Sequence, residues 1–385
     1  MTTNRRALPL SRVGVAAVLI LALSGPTPAH AAWPLAEGEL FLSVDGSIAA
    51  DSNIASNATE LSDTIYTVTP GFTWERSRGR GSVTFSANCA IERASEYSSY
   101  DSENYSADFS LSMPATASGR LKGNLDLSYF DGSRVDQYLN TRIAERGFNG
   151  SLDGSYQISN RINGRASVSY GESQPENAPS YEESSMSLGL GYNLRQAISA
   201  FVDFRFTDSS SESSPVFGPG SETSGNAIMF GLDGQITSRL SGSMGIGYDK
   251  SESEAGSEQD ETSGMTYDVS LTWTPRTRTT FNLRASNGVQ STSVGNTEYV
   301  TIALTGSQEI GLNMTADVGV SFRSSDFGGT RTGGNDFVEA FASLDYRFSS
   351  RFSISGKYTY SDSDSTDPIV VYQRDVWLLS ASARF

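Results

Sequence analysis

Cysteine and histidine are nearly absent from this chain. Among 385 residues there is one of each, Cys89 and His30. A single cysteine excludes an intramolecular disulfide and a thiolate metal cluster. Cys89 lies far from any N-terminal cleavage point, which excludes a lipoprotein anchor. His30 falls in a segment expected to be removed, so the mature chain has no Ser-His or Cys-His chemistry and no His-based metal site. Basic residues are scarce, 28 Lys+Arg against 44 Asp+Glu, for a net charge of -16. That balance excludes a nucleic-acid-binding face and suits a polar surface outside the cell. After residue 31 no apolar run approaches the ~18 residues of a membrane-spanning helix. Hydrophobic content is 37%, below the ~45–50% of globular chains, although that norm also counts Gly. Unpatterned, it would suggest disorder.

The N-terminus is patterned. Arg5, Arg6 and Arg12 flank a short apolar run at 13–23, and Ala29-His30-Ala31 follows. That order predicts a secretory signal peptide over 1–31, cut after Ala31 or close to it. The apolar run of about 11 residues is too short for a membrane anchor, which needs ~20. The leader carries three arginines and no acid, so the mature chain, 32–385, is more acidic still.

The rest of the chain alternates with period 2. Leu121, Leu125, Leu127 and Tyr129 alternate with Lys122, Asn124, Asp126 and Ser128. Leu312, Met314, Ala316, Val318, Val320 and Phe322 alternate with Asn313, Thr315, Asp317, Ser321 and Arg323. Such runs have one apolar and one polar face. About 18 of them run from 38–50 to 372–385, mostly about 10–14 residues each, enough to cross hydrocarbon when tilted. Eight short connections interleave with nine long ones, among them 51–62, 208–224 and 251–263. This predicts an all-β, antiparallel up-and-down transmembrane barrel with both termini periplasmic and the long loops outside. A turn arginine recurs about every 40 residues, at Arg120, Arg161, Arg239 and Arg351. A propeller shares that period, but it would bury both faces of most strands.

Aromatics gather at strand ends, Tyr129, Tyr170, Phe206, Tyr248 and Tyr360 at one and Trp74, Trp273, Tyr346, Phe348 and Phe385 at the other. Two such bands fit interfacial girdles. Phe385 is the last residue, with Trp377, Leu379, Ala381 and Ala383 on its face. This resembles the terminal strand read by the barrel insertion machinery, which is an expected partner along with outer-membrane lipid and lipopolysaccharide.

One stretch carries a more specific likeness. Ala50-Asp51-Ser52-Asn53-Ile54 is followed by Ser62-Asp63-Thr64-Ile65-Tyr66-Thr67-Val68-Thr69-Pro70-Gly71 and by the basic turn Glu75-Arg76-Ser77-Arg78-Gly79-Arg80. It resembles the outer-membrane proteins called putative β-barrel porin 2. The resemblance implies an outer-membrane barrel, often associated with surface polysaccharide export and its components.

A barrel of this size leaves an aqueous lumen. The expected lumen residues are Lys122, Asp126, Arg165, Asp203, Arg205, Asp233, Asp249, Asp268, Arg284, Asp317, Arg323, Asp345, Arg347, Lys357 and Arg384. Both signs occur, so ion selectivity is not readable at this level. The first functional expectation is a porin-like channel. The second is a non-conducting structural or display barrel whose acidic loops, 251–261 and 362–367, bind a partner or divalent cations. Neither segment has the glycine placement and terminal Glu of an EF-hand loop. No carboxylate spacing singles out a catalytic pair, so no catalytic, metal or cofactor residue is expected. A plugged transporter of ~22 strands would need far more chain.

Overall fold

The computed structural model describes residues 33–78, 81–113, 120–137, 141–176, 178–195, 197–213, 220–255, 258–292, 295–327 and 333–385. The leader expected at 1–31 lies outside them. The strands are β1 (Trp33–Leu35), β2 (Gly38–Asp51), β3 (Asp63–Arg78), β4 (Gly81–Ala94), β5 (Ser102–Met113), β6 (Leu121–Asp136) and β7 (Thr141–Gln157). They continue with β8 (Ile162–Pro175), β9 (Tyr181–Arg195), β10 (Ile198–Ser211), β11 (Ser221–Thr237), β12 (Leu240–Ala255) and β13 (Glu258–Arg276). The last six are β14 (Thr279–Thr292), β15 (Gly295–Ile310), β16 (Met314–Phe327), β17 (Gly333–Arg347), β18 (Phe352–Ser365) and β19 (Tyr372–Arg384). From β2 onward each strand pairs antiparallel with the next. β19 pairs with β2 from Val376↔Asp51 to Arg384↔Ser43. Phe385 then exchanges both backbone hydrogen bonds with Leu42, at 2.8 and 2.9 Å. The result is a closed 18-strand antiparallel barrel.

Period 2 explains which way the barrel faces. Among the described residues the buried hydrophobics are only Ile54, Ala55, Ala94, Tyr100, Ile143 and Ala383. The alternating apolar rows, such as Met186-Leu188-Leu190-Tyr192 and Met244-Ile246-Tyr248, lie exposed on the outside. A water-soluble fold of this length would bury rows of that kind. Here they form a band bounded by aromatics. At the end carrying the short turns, Trp273 stacks on Phe281 and Phe352 meets Phe385 edge-on. Toward the end carrying the long loops, Tyr358 packs on Trp377 and Phe148 on Tyr170.

The strands outrun that band. A strand of 16 residues such as β12 is about 53 Å long. Tilted by about 40° it rises about 40 Å, against an apolar band about 25 Å tall. The excess lies at the loop end, and it corrects the expected loop lengths. Both flanks of the segments expected as loops at 208–224 and 251–263 are strand, 208–211 and 221–224 in the first and 251–255 and 258–263 in the second, with ladders running to Ser211↔Ser221 and Ala255↔Glu258. Their strand portions are mostly Ser, Thr, Asp and Glu without apolar alternation, but the backbone still pairs when a neighbouring strand templates it. β1 was also not anticipated, because three residues are too few to show a period. It folds back on β2 through Ala36 and Glu37, whose φ values of 50° and 62° are those of a type I′ turn.

Among the described residues the wall splits between β13 and β14. β13 and β14 pair only from the turn end up to Asp268↔Ser286. Above it β13 continues to pair with β12 and β14 with β15. At the fork the Asn287 amide replaces ladder bonds, accepting from Tyr267 N at 2.6 Å and donating to Met265 O at 2.8 Å. Thr266 Oγ1 donates to Asn287 O at 2.9 Å. Backbone groups facing the split lack ladder partners, so their amides are expected to exchange faster than those at the same height in β16 and β17. Asn287→Ala should extend fast exchange down to Asp268. Exchange as slow at the split as in β16, read by mass spectrometry in detergent, would refute an open seam.

Candidate functional site: a polar lumen with a folded roof

The face opposite the apolar rows looks into the barrel. Alternation places on it Lys122 and Asp126 (β6), Arg165 (β8), Asp203 and Arg205 (β10), Asp233 (β11), Asp249 (β12) and Asp268 (β13). Arg284 (β14), Asp317 and Arg323 (β16), Asp345 and Arg347 (β17), Lys357 (β18) and Arg384 (β19) share that face. Arg165 gathers two of them. Its Nη2 is 3.3 Å from Asp203 and its Nη1 3.7 Å from Asp233. Lys122, Arg165, Asp203 and Arg205 line one recess of about 420 Å³ with Asp153. Arg284, Asp317, Asp345 and Arg347 stand apart along the wall. Serine pairs tie inward rows across strands, Ser167–Ser187 at 2.6 Å and Ser355–Ser380 at 2.6 Å, each a modest cross-strand stabilisation.

Register resolves the charge balance that the sequence left open. Among the described residues the inward carboxylates outside any ion pair are Glu39, Asp45, Asp63, Asp108, Asp126, Asp153, Glu183, Asp249, Asp268, Glu309, Asp317, Glu339 and Asp345. The cations in that condition are Lys122, Arg205, Arg284, Arg347 and Lys357. The lumen is therefore acidic. Near the loop end, burial beside Glu183 pushes the Tyr181 phenol up to about 12, so it remains a donor to Glu183 Oε2 at 3.0 Å.

The inward face is also not wholly polar, contrary to the expectation. Phe41, Phe201, Tyr299 and Phe341 point inward, each under a cation. Arg384 lies 3.8 Å from the Phe41 ring centroid, Arg165 4.8 Å from Phe201, Arg323 5.7 Å from Tyr299 and Lys357 4.8 Å from Phe341. In the sequence these rings look like outward positions one residue out of step, and only strand pairing separates the two.

At the loop end, part of the mouth is roofed. The segment 51–62, expected as an open loop, folds inward and supplies Ile54 and Ala55, half of a small buried apolar cluster. Its side chains explain the Asp-Ser-Asn-Ile run. Asp51, with its side chain 1% exposed, takes a bidentate pair from Arg374, Nη2 at 2.6 Å and Nε at 3.0 Å. Arg374 Nη1 also donates to Ser56 Oγ at 3.1 Å. Asp51 Oδ1 accepts from Asn53 N at 2.9 Å. Asn53, 0% exposed, donates through Nδ2 to Asn57 O at 2.7 Å. Ile54 and Ala55 pack with Ala94, Tyr100, Leu61, Ile65 and Val135. The Asp63 carboxylate accepts from the backbone N–H groups of Thr64, Ser95, Glu96 and Tyr97, which pins the β4–β5 loop.

The roof has a second half. β6 leaves β5 above Tyr105↔Asp131, and the upper end of β6, with Gln137, and the start of β7 lie against the inner face of β4 and β5. Arg142 Nη1 reaches Glu92 at 2.6 Å, and Ser133 N donates to Asn104 Oδ1 at 2.8 Å. Gln137 Nε2 donates to Ser56 O at 2.7 Å, and Asn57 Nδ2 donates to Gln137 O. The two halves are thereby joined across the mouth from β19 round to β7.

The expected C-terminal residues Trp377 and Leu379 lie exposed on the outer wall, and Phe385 sits at the closing seam. Among the described residues no group of three or more His, Cys, Asp or Glu is arranged to hold a metal ion.

Solved structures share this architecture at low identity. The chain resembles an apoprotein form of the FrpB iron transporter from Neisseria meningitidis, with TM-score 0.51, 8% identity, 91% of this chain and 82% of that one. It resembles the open form of the ferric-catecholate import receptor Fiu from E. coli K12 at TM-score 0.50 and 9% identity, over 89% and 81%. Against the ferric citrate transporter FecA it reaches TM-score 0.49 and 12% identity, and spans only 60% of that chain's length. No curated protein matches the chain in sequence. The family model described as putative beta-barrel porin 2 matches residues 40–385; the chain belongs to that family and is a barrel of the bacterial outer membrane.

Proposed function

We propose that this barrel is a porin-like channel serving the export of a surface polysaccharide. Its termini would lie on the periplasmic side, its roof at the external mouth, and its leader at 1–31 would direct export. The observation that carries the reading is the polar, charged inward face, which runs the length of a closed barrel wide enough for water. Planar-bilayer recording of the purified protein tests the channel. Stepwise ion currents are the expected result, and insertion without current would sink it. Loss of surface polymer on deleting the gene, restored by the full-length chain, tests the export role separately.

A second reading, a non-conducting display barrel, is favoured by the roof and by the outward carboxylates above the apolar band. Glu182, Glu222, Glu252, Glu254 and Glu261 line one recess of about 500 Å³ there. They would face lipopolysaccharide headgroups and their divalent cations. Phe385, closing the barrel, would be presented to the insertion machinery. The same recordings separate the two readings.

A further inference from the structure

Three of the inward rings share a construction that the channel reading alone does not require. Phe201, Tyr299 and Phe341 each sit directly opposite a glycine of the adjacent strand, Gly231, Gly288 and Gly319. A Cβ on Gly231 or Gly319 would overlap the facing phenyl ring, and one on Gly288 would lie 3.3 Å from Tyr299 Oη. Each ring is therefore laid flat over its neighbour strand, with one face against the wall and the other toward the lumen. On the lumen side of each stands a long, flexible cation, Arg165, Arg323 or Lys357. Carboxylates share the same row, Asp203 two residues from Phe201 and Glu339 two residues from Phe341.

We infer that these rings are stacking platforms for a sugar chain that carries no net negative charge; the inference rests on the export reading and specifies its cargo. A pyranose presents C–H groups to an aromatic face and hydroxyls at its rim. A flat ring bordered by a carboxylate and a guanidinium or ammonium group matches both. When a sugar takes the ring face, the displaced cation becomes a donor to its hydroxyls. The platforms occupy successive depths. Phe201 is near the turn end of β10, Phe341 lies midway along β17, and Tyr299 is toward the loop end of β15. That spacing suits a polymer better than a single sugar. The excess of inward carboxylates repels a polyanion and tolerates neutral or cationic units.

The test is current block by hexasaccharides in planar bilayers. The probes are a neutral N-acetylglucosamine hexamer, a cationic glucosamine hexamer and an anionic galacturonate hexamer. The first two are expected to interrupt the ion current, the third only at concentrations about tenfold higher or more. Phe201→Ala and Phe341→Ala should each raise the half-blocking concentration of the neutral hexamer about tenfold. Phe→Tyr at the same sites should retain block. Heat-modifiable gel mobility shows that the variants have folded. Equal block by galacturonate, or block indifferent to both alanine variants, overturns the inference while leaving the channel standing. A barrel that carries no ion current overturns the channel reading itself, and the cargo with it.

Discussion

Arg374→Ala is expected to raise single-channel conductance about twofold by opening the roof. The substitution leaves the Asp51 carboxylate buried and without its counter-charge. Removing one partner of such a pair costs on the order of 3 kcal/mol, less here because Arg374 is a third exposed. The barrel ladder does not depend on Arg374, so the loss falls on segment 51–62. That segment holds few apolar contacts beyond Ile54 and Ala55, and it is the part that can unfold locally. Its release also frees Gln137 from Ser56, so the upper end of β6 loses that attachment. Asp51→Ala with Arg374→Ala should open the roof less, because no buried charge remains. A third variant, in which residues 52–60 are replaced by a short Gly-Ser linker, should match or exceed the single substitution. Heat-modifiable gel mobility confirms that the barrel is intact in each case. A folded Arg374→Ala barrel with wild-type conductance would show that the roof does not limit the pore.

How much of this was readable beforehand follows from what each feature is made of. The barrel is written in period 2, and residues such as Leu121 through Tyr129 or Leu312 through Phe322 repeat it often enough to fix both strand count and facing. The roof has no period. Asp51, Asn53 and Asn57 are small polar residues that normally mark an exposed turn, and their burial depends on partners such as Gln137 and Arg374, 80 or more residues away in sequence. The inward rings are hidden for a related reason. Phe201 sits beside Val202 and Phe204, so its facing is ambiguous until Gly231 is known to stand opposite it. The seam above Ser286 is the absence of a pairing, and nothing in β13 or β14 alone announces it.

The channel is expected to prefer cations, and the preference should fade with salt. Eighteen strands about 4.8 Å apart and tilted about 40° give a backbone radius of about 18 Å. Side chains reduce the open radius to about 12 Å. At 0.1 M salt the screening length is about 10 Å, so the field of wall carboxylates reaches most of the pore; at 1 M it is about 3 Å and the pore centre is neutral. With 0.01 M against 0.1 M KCl the reversal potential should be on the order of 20 mV toward the cation side, about a third of the ~59 mV limit for a univalent ion. Between 0.1 M and 1 M it should fall to a few mV, on the order of the screening loss. Asp108, Asp126 and Asp153 lie on adjacent strands, line the wall recesses and have no ion pair among the described residues. Converting all three to Asn should reduce the low-salt potential without changing pore size, because each swap is nearly isosteric. The Arg165–Asp203–Asp233 cluster is the internal control. There, charge is already balanced in part by Arg165, so Asp203→Asn should move the potential less than any one of the three. Anion preference at low salt would contradict the register-based count of inward charges and remove the electrostatic half of the cargo argument, while the flat rings over Gly231 and Gly319 would stand untouched.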